Sequence, residues 1–444
     1  MMAFISTILY MAYAVMMSVI SCCYLLVAWE PRLLEYIIPA FLFILLFSGT
    51  LTHGSTRFRL GVCNHGAVLL LTFEWSLFVG IIYHIILAFF TIPDAYMKLI
   101  WSLLVFILVE NAVFWYGVSC IYLTSVQMGI TNRFIGMVSG LIPYVNIAAM
   151  NFIIWTVLTE VRVEAKKDRI NRARKEQKLC RTKYPIVMVH GVFFRDARYL
   201  NYWGRIPKEL QTNGATIYYG NHQSADAIAD SAAELAQRIR EIVESTGCEK
   251  VNIIAHSKGG LDCRYAIDKL GMGEYVASLT TINTPHKGCI YVDHLLEKCS
   301  PKVQEFVAQR YNRTYRFLGD HDPDFLAAVN DLTASACEKF NKEITYVPED
   351  ILCQSVGSVI KRSWGAQFPM VLVYPWARRY DGVGDGLVGV DSFPWGEKYT
   401  LLTPKGGKSI SHCDMTDLYR KNQRHFDVRE FYVQLVSDLR ERGL

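Results

Sequence analysis

Val251-Asn252-Ile253-Ile254-Ala255-His256-Ser257-Lys258-Gly259-Gly260 is the stretch that decides the fold of this chain. An apolar run with β-branched residues stops at a serine between small residues, and a helix-compatible segment, residues 261–270, follows at once. This order predicts a strand, a sharp turn and a helix, an arrangement that holds a serine hydroxyl exposed for nucleophilic attack. Ala255 replaces the first glycine of the usual Gly-x-Ser-x-Gly spacing, a mild departure of one methyl group.

Two later stretches contain the other groups that a serine nucleophile needs. In this strand–turn–helix arrangement an acid and then a histidine follow the serine along the chain. Residues 381–391 form a glycine-rich loop that contains Asp385, and residues 411–414 place His412 in a loop before the final helical segment. The order therefore predicts a serine hydrolase.

Residues 184–442 resemble the bacterial true lipases, the triacylglycerol lipases of the α/β-hydrolase superfamily. Six stretches carry the resemblance in the order of that family, and none of them lies in the apolar N-terminal part. They are Pro-Ile-Val-Met-Val-His-Gly at 185–191, Tyr-Trp-Gly-Arg-Ile at 202–206, Ala-His-Ser-Lys-Gly-Gly at 255–260, Thr-Ile-Asn-Thr-Pro-His-Lys-Gly at 281–288, Leu-Thr-Ala-Ser-Ala-Cys-Glu-Lys-Phe-Asn at 332–341, and Asp-Gly-Leu-Val at 385–388 followed by His-Cys-Asp at 412–414.

The resemblance implies an α/β-hydrolase fold with a catalytic triad of Ser257, Asp385 and His412. It also implies that the backbone N–H groups of Val192 and Lys258 form the oxyanion hole. The rivals of these residues lack the family setting. We expect Asp381 and Asp391 to be loop-solvating carboxylates, His190 and His286 to be structural, and His294, His321 and His425 to lie outside the site.

Strand and helix patterns alternate after residue 184. Strands are predicted at 186–189, 215–219, 251–256 and 276–283, and helices at 202–212, 224–245 and 261–270. The alternation favours a mostly parallel sheet with helices on both faces. Residues 290–341 depart from this regularity, and we interpret them as a lid or cap; an amphipathic helix is predicted at 301–311.

Asp414 matches the aspartate that the lipases use as a calcium ligand. No convincing second acidic ligand stands upstream of Asp385, so we expect neither a structural calcium nor any other cofactor. The 12 cysteines lack metal-ligand spacing, and we expect those of the hydrolase region to be reduced.

The N-terminal part has a composition suited to a lipid bilayer rather than to water. The chain of 444 residues is 52% hydrophobic, and its charged residues are concentrated in the C-terminal part. Four to five membrane spans are predicted at 3–29, 33–47, 67–90, 99–123 and 134–158, the last with kinks at Gly140 and Pro143. Four polar residues fall inside them, and we interpret these as making interhelical hydrogen bonds rather than a polar pathway: Glu74, His84, Glu110 and Asn111.

Residues 161–183 form a basic neck between the two parts. Ten basic residues against three acidic ones give the neck a net charge of +7, more than the +5 of the whole chain. Basic residues beside a span favour the cytoplasmic side, and such a helix also lies against anionic headgroups, so we do not expect nucleic-acid binding. Arg57 and Arg59 share that side only if four spans precede a re-entrant or interfacial fifth segment.

The sequence thus predicts three parts: a membrane region at 1–160, a basic juxtamembrane helix at 161–183 and a hydrolase domain at 184–444. The expected activity is hydrolysis of acyl esters of glycerides or related lipids through an acyl-enzyme. Phospholipase A and lipid acyltransferase are alternatives with the same chemistry. A hypothesis from a different functional class is a membrane module that binds a partner or transports a solute and carries a non-catalytic hydrolase-like domain. No protein partner is indicated.

Overall fold

The chain divides into two compact units in the computed structural model, Met1–Arg172 and Ala173–Leu444. The residues that the structure describes are 2–49, 57–90, 96–140, 142, 144–192, 201–318, 320–362, 365, 370–404 and 409–444. The N-terminal unit is helical, and the C-terminal unit contains a six-stranded sheet.

Seven α-helices begin within the described part of the N-terminal unit. They are α1 (Met2–Ser21), α2 (Tyr24–Trp29), α3 (Leu34–Phe47), α4 (Phe58–Phe90), α5 (Tyr96–Thr124), α6 (Gly129–Ser139) and α7 (Val145–Ala173). By length and composition alone, α4 and α5 are the described helices that could cross a membrane. A shorter apolar helix, Thr7–Ser21, lies in α1.

The fifth predicted span corresponds to two helices rather than one. Helix α6 ends at Ser139 with Gly140 as its C-cap, and α7 begins at Val145; Pro143, the other expected kink, lies outside the described residues. Gly136 of α6 packs against Ile153 of α7, where an added Cβ would meet Ile153 Cδ1 at 2.8 Å. Helix α7 then continues without a break into the basic neck as far as Ala173, so the start of the neck is not a separate helix.

Polar side chains of the predicted spans do pair with neighbouring helices. Ser76 Oγ of α4 donates to Glu110 Oε2 of α5 over 3.0 Å. His84 Nε2 lies 3.0 Å from Ser102 Oγ, again between α4 and α5. Asn151 Nδ2 of α7 donates to Glu74 Oε1 of α4 over 2.7 Å. Asn111 bonds instead to the Ile107 carbonyl of its own helix.

The C-terminal unit is built on a wholly parallel sheet, as the alternation of strands and helices predicts. Its strands are β1 (Ile186–Val189), β2 (Ile217–Tyr219), β3 (Val251–His256), β4 (Val276–Ile282), β5 (Leu352–Ser358) and β6 (Lys398–Leu402), in the spatial order β2-β1-β3-β4-β5-β6. Parallel neighbours require crossover connections, which the helices supply.

Two apolar layers cover the sheet because alternate residues of each strand point to opposite faces. On one face, Val187 and Ile253 pack with helices α9 (Ile228–Thr246) and α10 (Gly259–Lys269). On the other, Met188 and Ile254 pack with α8 (Ile206–Thr212) and the last helix, α16 (Val428–Glu441). Helix α8 begins later than predicted because residues 202–205 form a turn in which Asn201 Oδ1 accepts from Trp203 N.

Additional helices separate β4, β5 and β6. Four of them follow β4: α11 (Ile290–Lys298), α12 (Pro301–Leu318), α13 (Phe325–Asn330) and α14 (Ala334–Glu343). Another, α15 (Met370–Tyr380), lies between β5 and β6. The cap predicted at 290–341 is therefore helical, and whether it moves as a lid stays a prediction.

Candidate active site

Ser257 stands at the sharp turn between β3 and α10. Its φ angle is +54°, which is uncommon for a residue with a side chain and requires the surroundings to hold it. Its N–H donates to the Ile282 carbonyl of β4 over 2.9 Å. A Cβ at Gly259 would lie 2.4 Å from the His190 carbonyl oxygen, so the second glycine of the motif is needed where two backbones meet.

Asp385 and His412 form the acid–histidine pair that the chain order predicts. His412 Nδ1 donates to Asp385 Oδ2 over 2.6 Å, and the backbone N–H of His412 donates to the Asp385 carbonyl. Asp385 Oδ1 accepts from the N–H groups of Leu387 and Val388 at 2.9 and 2.8 Å. With Nδ1 committed to the carboxylate, His412 keeps Nε2 as the nitrogen able to accept a proton.

His256, next to Ser257 in sequence, contacts His412. The two imidazole rings are 4.4 Å apart, and His256 Nε2 lies 3.2 Å from the His412 carbonyl oxygen. Burial, then the neighbouring His412, lower the pKa of His256 well below its usual value, so its ring is neutral. Since a carbonyl only accepts, Nε2 carries the proton, and Nδ1 accepts from Tyr202 Oη at 2.6 Å.

The two predicted oxyanion donors belong to segments that adjoin Ser257. Lys258 is the next residue along the turn. Val192 follows Gly191, where an added Cβ would lie 2.6 Å from the Ser257 Cβ, so the loop after β1 runs directly against Ser257. Residues 193–200 lie outside the described part of the chain.

Asn283 is a site residue that the sequence reasoning missed. Its Nδ2 donates to Asp385 Oδ2 over 2.6 Å and to Ser358 Oγ over 2.7 Å, and its φ angle is +50°. Asparagine is among the few residues that tolerate this conformation while also donating from the side chain. The stretch Thr-Ile-Asn-Thr-Pro-His contains it, but the contact with a carboxylate about a hundred residues away is not visible in the sequence.

The rival histidines are not part of this cluster. His286 is buried and stacks on Trp395 at 5.0 Å, with Nε2 2.9 Å from Thr281 Oγ1. Burial lowers the pKa of His286 well below its usual value, which suits a structural role. His294 lies beside Glu297 on the surface of α11, and His321 and His425 are exposed.

The expectation for Asp381 was wrong. Its two carboxylate oxygens accept the N–H groups of Ile290 and Tyr291 at 2.7 and 2.8 Å, so it caps the first turn of α11 instead of solvating its own loop. Unpaired N–H groups at a helix start favour such an acceptor. Asp391 lies in the single helical turn Val390–Ser392 and is exposed.

Asp414 closes the loop that carries His412. Its Oδ2 accepts from both the backbone N–H and the hydroxyl of Ser411, at 2.8 and 2.7 Å. No group of three or more His, Cys, Asp or Glu residues suited to a metal occurs in the described part of the chain. The expected lack of a structural calcium and of any other cofactor stays a prediction.

The Tyr-Trp-Gly-Arg-Ile stretch contacts the same loop from the other side. Arg205 binds Asp417 in a bidentate manner, Nε to Oδ2 and Nη2 to Oδ1, both at 2.7 Å. A Cβ at Gly204, whose φ angle is +52°, would lie 2.2 Å from the Asp417 carbonyl oxygen. The motif thus braces the segment that follows His412.

Comparisons with known proteins find similarity to lipases and to a thioesterase family. The sequence model of the family described as palmitoyl protein thioesterase matches residues 185–348. The triacylglycerol lipase of Pseudarthrobacter phenanthrenivorans is 34% identical over 173 residues, 36% of this chain and 54% of that protein. The triacylglycerol lipase of Vibrio cholerae is 32% identical over 195 residues, 42% of this chain and 61% of that protein.

Among solved structures, the mature lipase BlEst2 of Bacillus licheniformis aligns with a TM-score of 0.43 at 21% identity, covering 57% of this chain and 92% of that one. The chain spans about half the length of the first curated relatives that it matches. The family model over residues 185–348 and the lipase relatives together support a lipase family of the α/β-hydrolase superfamily.

Proposed function

We propose that this protein is a membrane-anchored serine hydrolase that cleaves the acyl esters of lipids. The observation that carries the proposal is the contact of 2.6 Å between Asp385 and His412, in a loop that His256 holds against the Ser257 turn. Ser257, Asp385 and His412 follow one another along the chain in the order nucleophile, acid, base, which supports the proposal of a catalytic triad.

In the proposed mechanism, His412 Nε2 takes the hydroxyl proton of Ser257 as Oγ attacks the ester carbonyl. The Asp385 carboxylate holds the imidazole in the correct tautomer and stabilises the imidazolium that forms. The N–H groups of Val192 and Lys258 bind the oxyanion of the tetrahedral intermediate. His412 then protonates the leaving alcohol, and a water molecule, deprotonated by the same histidine, releases the fatty acid and restores Ser257 Oγ.

The substrate class follows from the acyl group. The similar proteins are named for triacylglycerols or for palmitoyl thioesters, which share a long acyl chain and differ in the group that leaves. Exposed apolar side chains on the cap, among them Phe306 and Phe317 of α12, suit contact with a lipid surface. We therefore propose that the substrate is a long-chain acyl ester of a glyceride. In the alternatives, the substrate is a phospholipid, or an alcohol rather than water accepts the acyl group.

We propose further that the chain crosses the membrane four times, through α1, α3, α4 and α5, and that α6 and α7 form a re-entrant hairpin. At 11 residues, α6 falls below the roughly 17–25 residues that span a hydrocarbon core, whereas the 3 residues of the helical turn Pro31–Leu33 and the 14 of α3 together supply 17. The ion pairs support a return to the same side: Arg57 pairs with Glu164 and Asp168 of α7, and Arg59 Nη1 lies 2.7 Å from Glu160.

These pairs join the start of α4 to the end of α7, so both lie on the side of the basic neck. Basic residues favour the cytoplasmic face, which assigns the hydrolase domain to the cytoplasm. Cysteine substitutions at Arg57 and Tyr144 in intact cells test this topology with a membrane-impermeant thiol reagent. We expect neither position to be labelled from outside; labelling of Tyr144→Cys would require α6 to cross completely.

Hydrolysis of p-nitrophenyl esters of increasing chain length, by the full chain in detergent, tests the proposed activity. We expect turnover of long-chain esters that is lost in Ser257→Ala and kept in Ser245→Ala, a serine on the exposed face of α9. Equal turnover in Ser257→Ala would overturn the proposal. Product analysis with a phospholipid substrate, and with an added alcohol as acyl acceptor, separates the lipase from phospholipase A and acyltransferase.

A further inference from the structure

Behind Ser257 lies a group of buried charged and polar side chains that the steps above do not use. We call this group the buried bracket, and its members are Lys258, Asp262, Ser231, His222 and His190. Each of these residues is at most 2% exposed. Lysine and aspartate are almost never fully buried unless they are paired, because moving a charge out of water is costly. A fully enclosed ion pair next to a nucleophile therefore needs an explanation.

Lys258 is the centre of the bracket. Its backbone N–H is a proposed oxyanion donor, and its side chain turns away into the protein. The ammonium donates to Asp262 Oδ1, one helical turn further along α10, over 2.8 Å, and to Ser231 Oγ of α9 over 2.9 Å. These two bonds fix the first turn of α10, and with it the Lys258 backbone, against a neighbouring helix.

Asp262 extends the bracket to the other oxyanion donor. Its second oxygen lies 3.5 Å from His222 Nε2, and the His222 ring stacks on His190 with centroids 4.1 Å apart. Burial, then the neighbouring His222, lower the pKa of His190 to about 3, so the ring is neutral and donates one proton. Its Nδ1 lies 3.0 Å from the Gly191 carbonyl oxygen and its Nε2 3.1 Å from the His222 carbonyl oxygen, so the ring donates to one of these two carbonyls. His190 is two residues before Val192.

We propose that Lys258 and Asp262 are positioning residues that set the distance between the two N–H groups of the oxyanion hole. A donor stabilises the transition state only if it lies about 2.7–3.1 Å from the developing oxyanion, so small shifts of either backbone are costly. A buried ion pair adds little net stability over apolar residues of the same size, which makes geometry the better account of its presence. This inference rests on the function proposed above.

The deciding variant replaces both charges, Lys258→Met with Asp262→Leu, and keeps the backbone N–H of residue 258. Either single change leaves one charge buried without its partner and should lower the thermal midpoint, whereas the double change should recover most of it. We expect the double variant to keep KM within about threefold and to lose about 10- to 100-fold in kcat, less than the loss of a whole donor. Wild-type kcat in the double variant would overturn the proposal.

A matched control is the exposed pair of Glu338 and Lys342 on α14, with the same spacing and a contact of 2.7 Å. Glu338→Leu with Lys342→Met should leave kcat unchanged; a comparable loss there would also overturn the proposal. Should the double bracket variant fail to fold, Ser231→Ala removes one bond of the ammonium while both charges stay. We expect it to lower kcat severalfold at unchanged KM, and an unchanged kcat would contradict positioning.

Ser257→Ala measured in parallel keeps the two proposals apart. Equal ester turnover in wild type and Ser257→Ala would reject the proposed function and the bracket together. Loss of turnover in Ser257→Ala with full turnover in the double bracket variant would reject the bracket alone.

Discussion

Replacing Asn283 with glycine should slow catalysis while leaving substrate binding intact. The Asn283 amide donates to Asp385 Oδ2 over 2.6 Å, at the same oxygen that accepts from His412 Nδ1. A hydrogen bond to a charged group contributes about 1.5–3 kcal/mol. At about 1.4 kcal/mol per tenfold in rate, losing this restraint on the carboxylate corresponds to a decrease of about 10- to 100-fold in kcat.

Asn283→Ala is the control for Asn283→Gly. At the Asn283 φ angle of +50°, the two variants differ in backbone strain but not in the loss of the amide. Both variants lose the same amide, but alanine also places a Cβ in a left-handed conformation. The left-handed conformation lowers the unfolding free energy of the alanine variant by about 1–2 kcal/mol. About half of this is offset, because glycine has more conformational freedom to lose from the unfolded chain. We expect equal kcat in the two variants and a lower thermal midpoint for alanine.

The assay is hydrolysis of a p-nitrophenyl ester over a range of concentrations, with thermal unfolding of the same preparations. Two results would refute the reasoning. One is wild-type kcat in Asn283→Gly. The other is a kcat that follows stability, with the glycine variant clearly faster than the alanine variant, since the side chain would then act only through the fold.

Further changes test the surroundings of the site. Gly259→Ala would place a Cβ 2.4 Å from the His190 carbonyl oxygen and should abolish turnover and lower the thermal midpoint. The control is Gly247→Ala, where the added Cβ meets no atom within 4 Å but φ is +66°. This control should lower the unfolding free energy by only about 1–2 kcal/mol. Arg205→Lys breaks the bidentate contact with Asp417 and should lower both the midpoint and kcat. The pKa of His190 is about 3 when folded against about 6.5 when unfolded, so the fold favours the neutral ring. This stabilisation is present above pH 6.5 and is lost as pH falls towards 3. In that window the unfolding free energy of His190→Asn, measured by urea denaturation, should depend on pH less steeply than that of the wild type, by about 1.4 kcal/mol per pH unit.

The local patterns of the sequence predict much of the sheet and the turn at Ser257. Strands β1, β3 and β4 are buried along their whole length, and runs rich in apolar and β-branched residues are visible without a structure. Chain order and the family setting single out Asp385 and His412, and the structure pairs their side chains.

Contacts between distant residues could not be predicted in this way. Asn283 and Asp381 carry out their roles on partners about a hundred residues away, and a loop aspartate that caps a helix has the same local sequence as one that faces water. The Lys258–Asp262 spacing of four is visible on a predicted helix, but it usually describes a solvated pair. Only the covering helix α9 shows that this pair is enclosed.

Covalent labelling with a fluorophosphonate, mapped by mass spectrometry, tests the central claim most directly, namely that the Asp385–His412 pair activates Ser257. We predict modification of the peptide that contains Ser257 in the wild type, none there in Ser257→Ala, and labelling slowed by about a thousandfold or more in His412→Ala. Labelling of a different serine, or an unchanged rate without His412, would contradict the account.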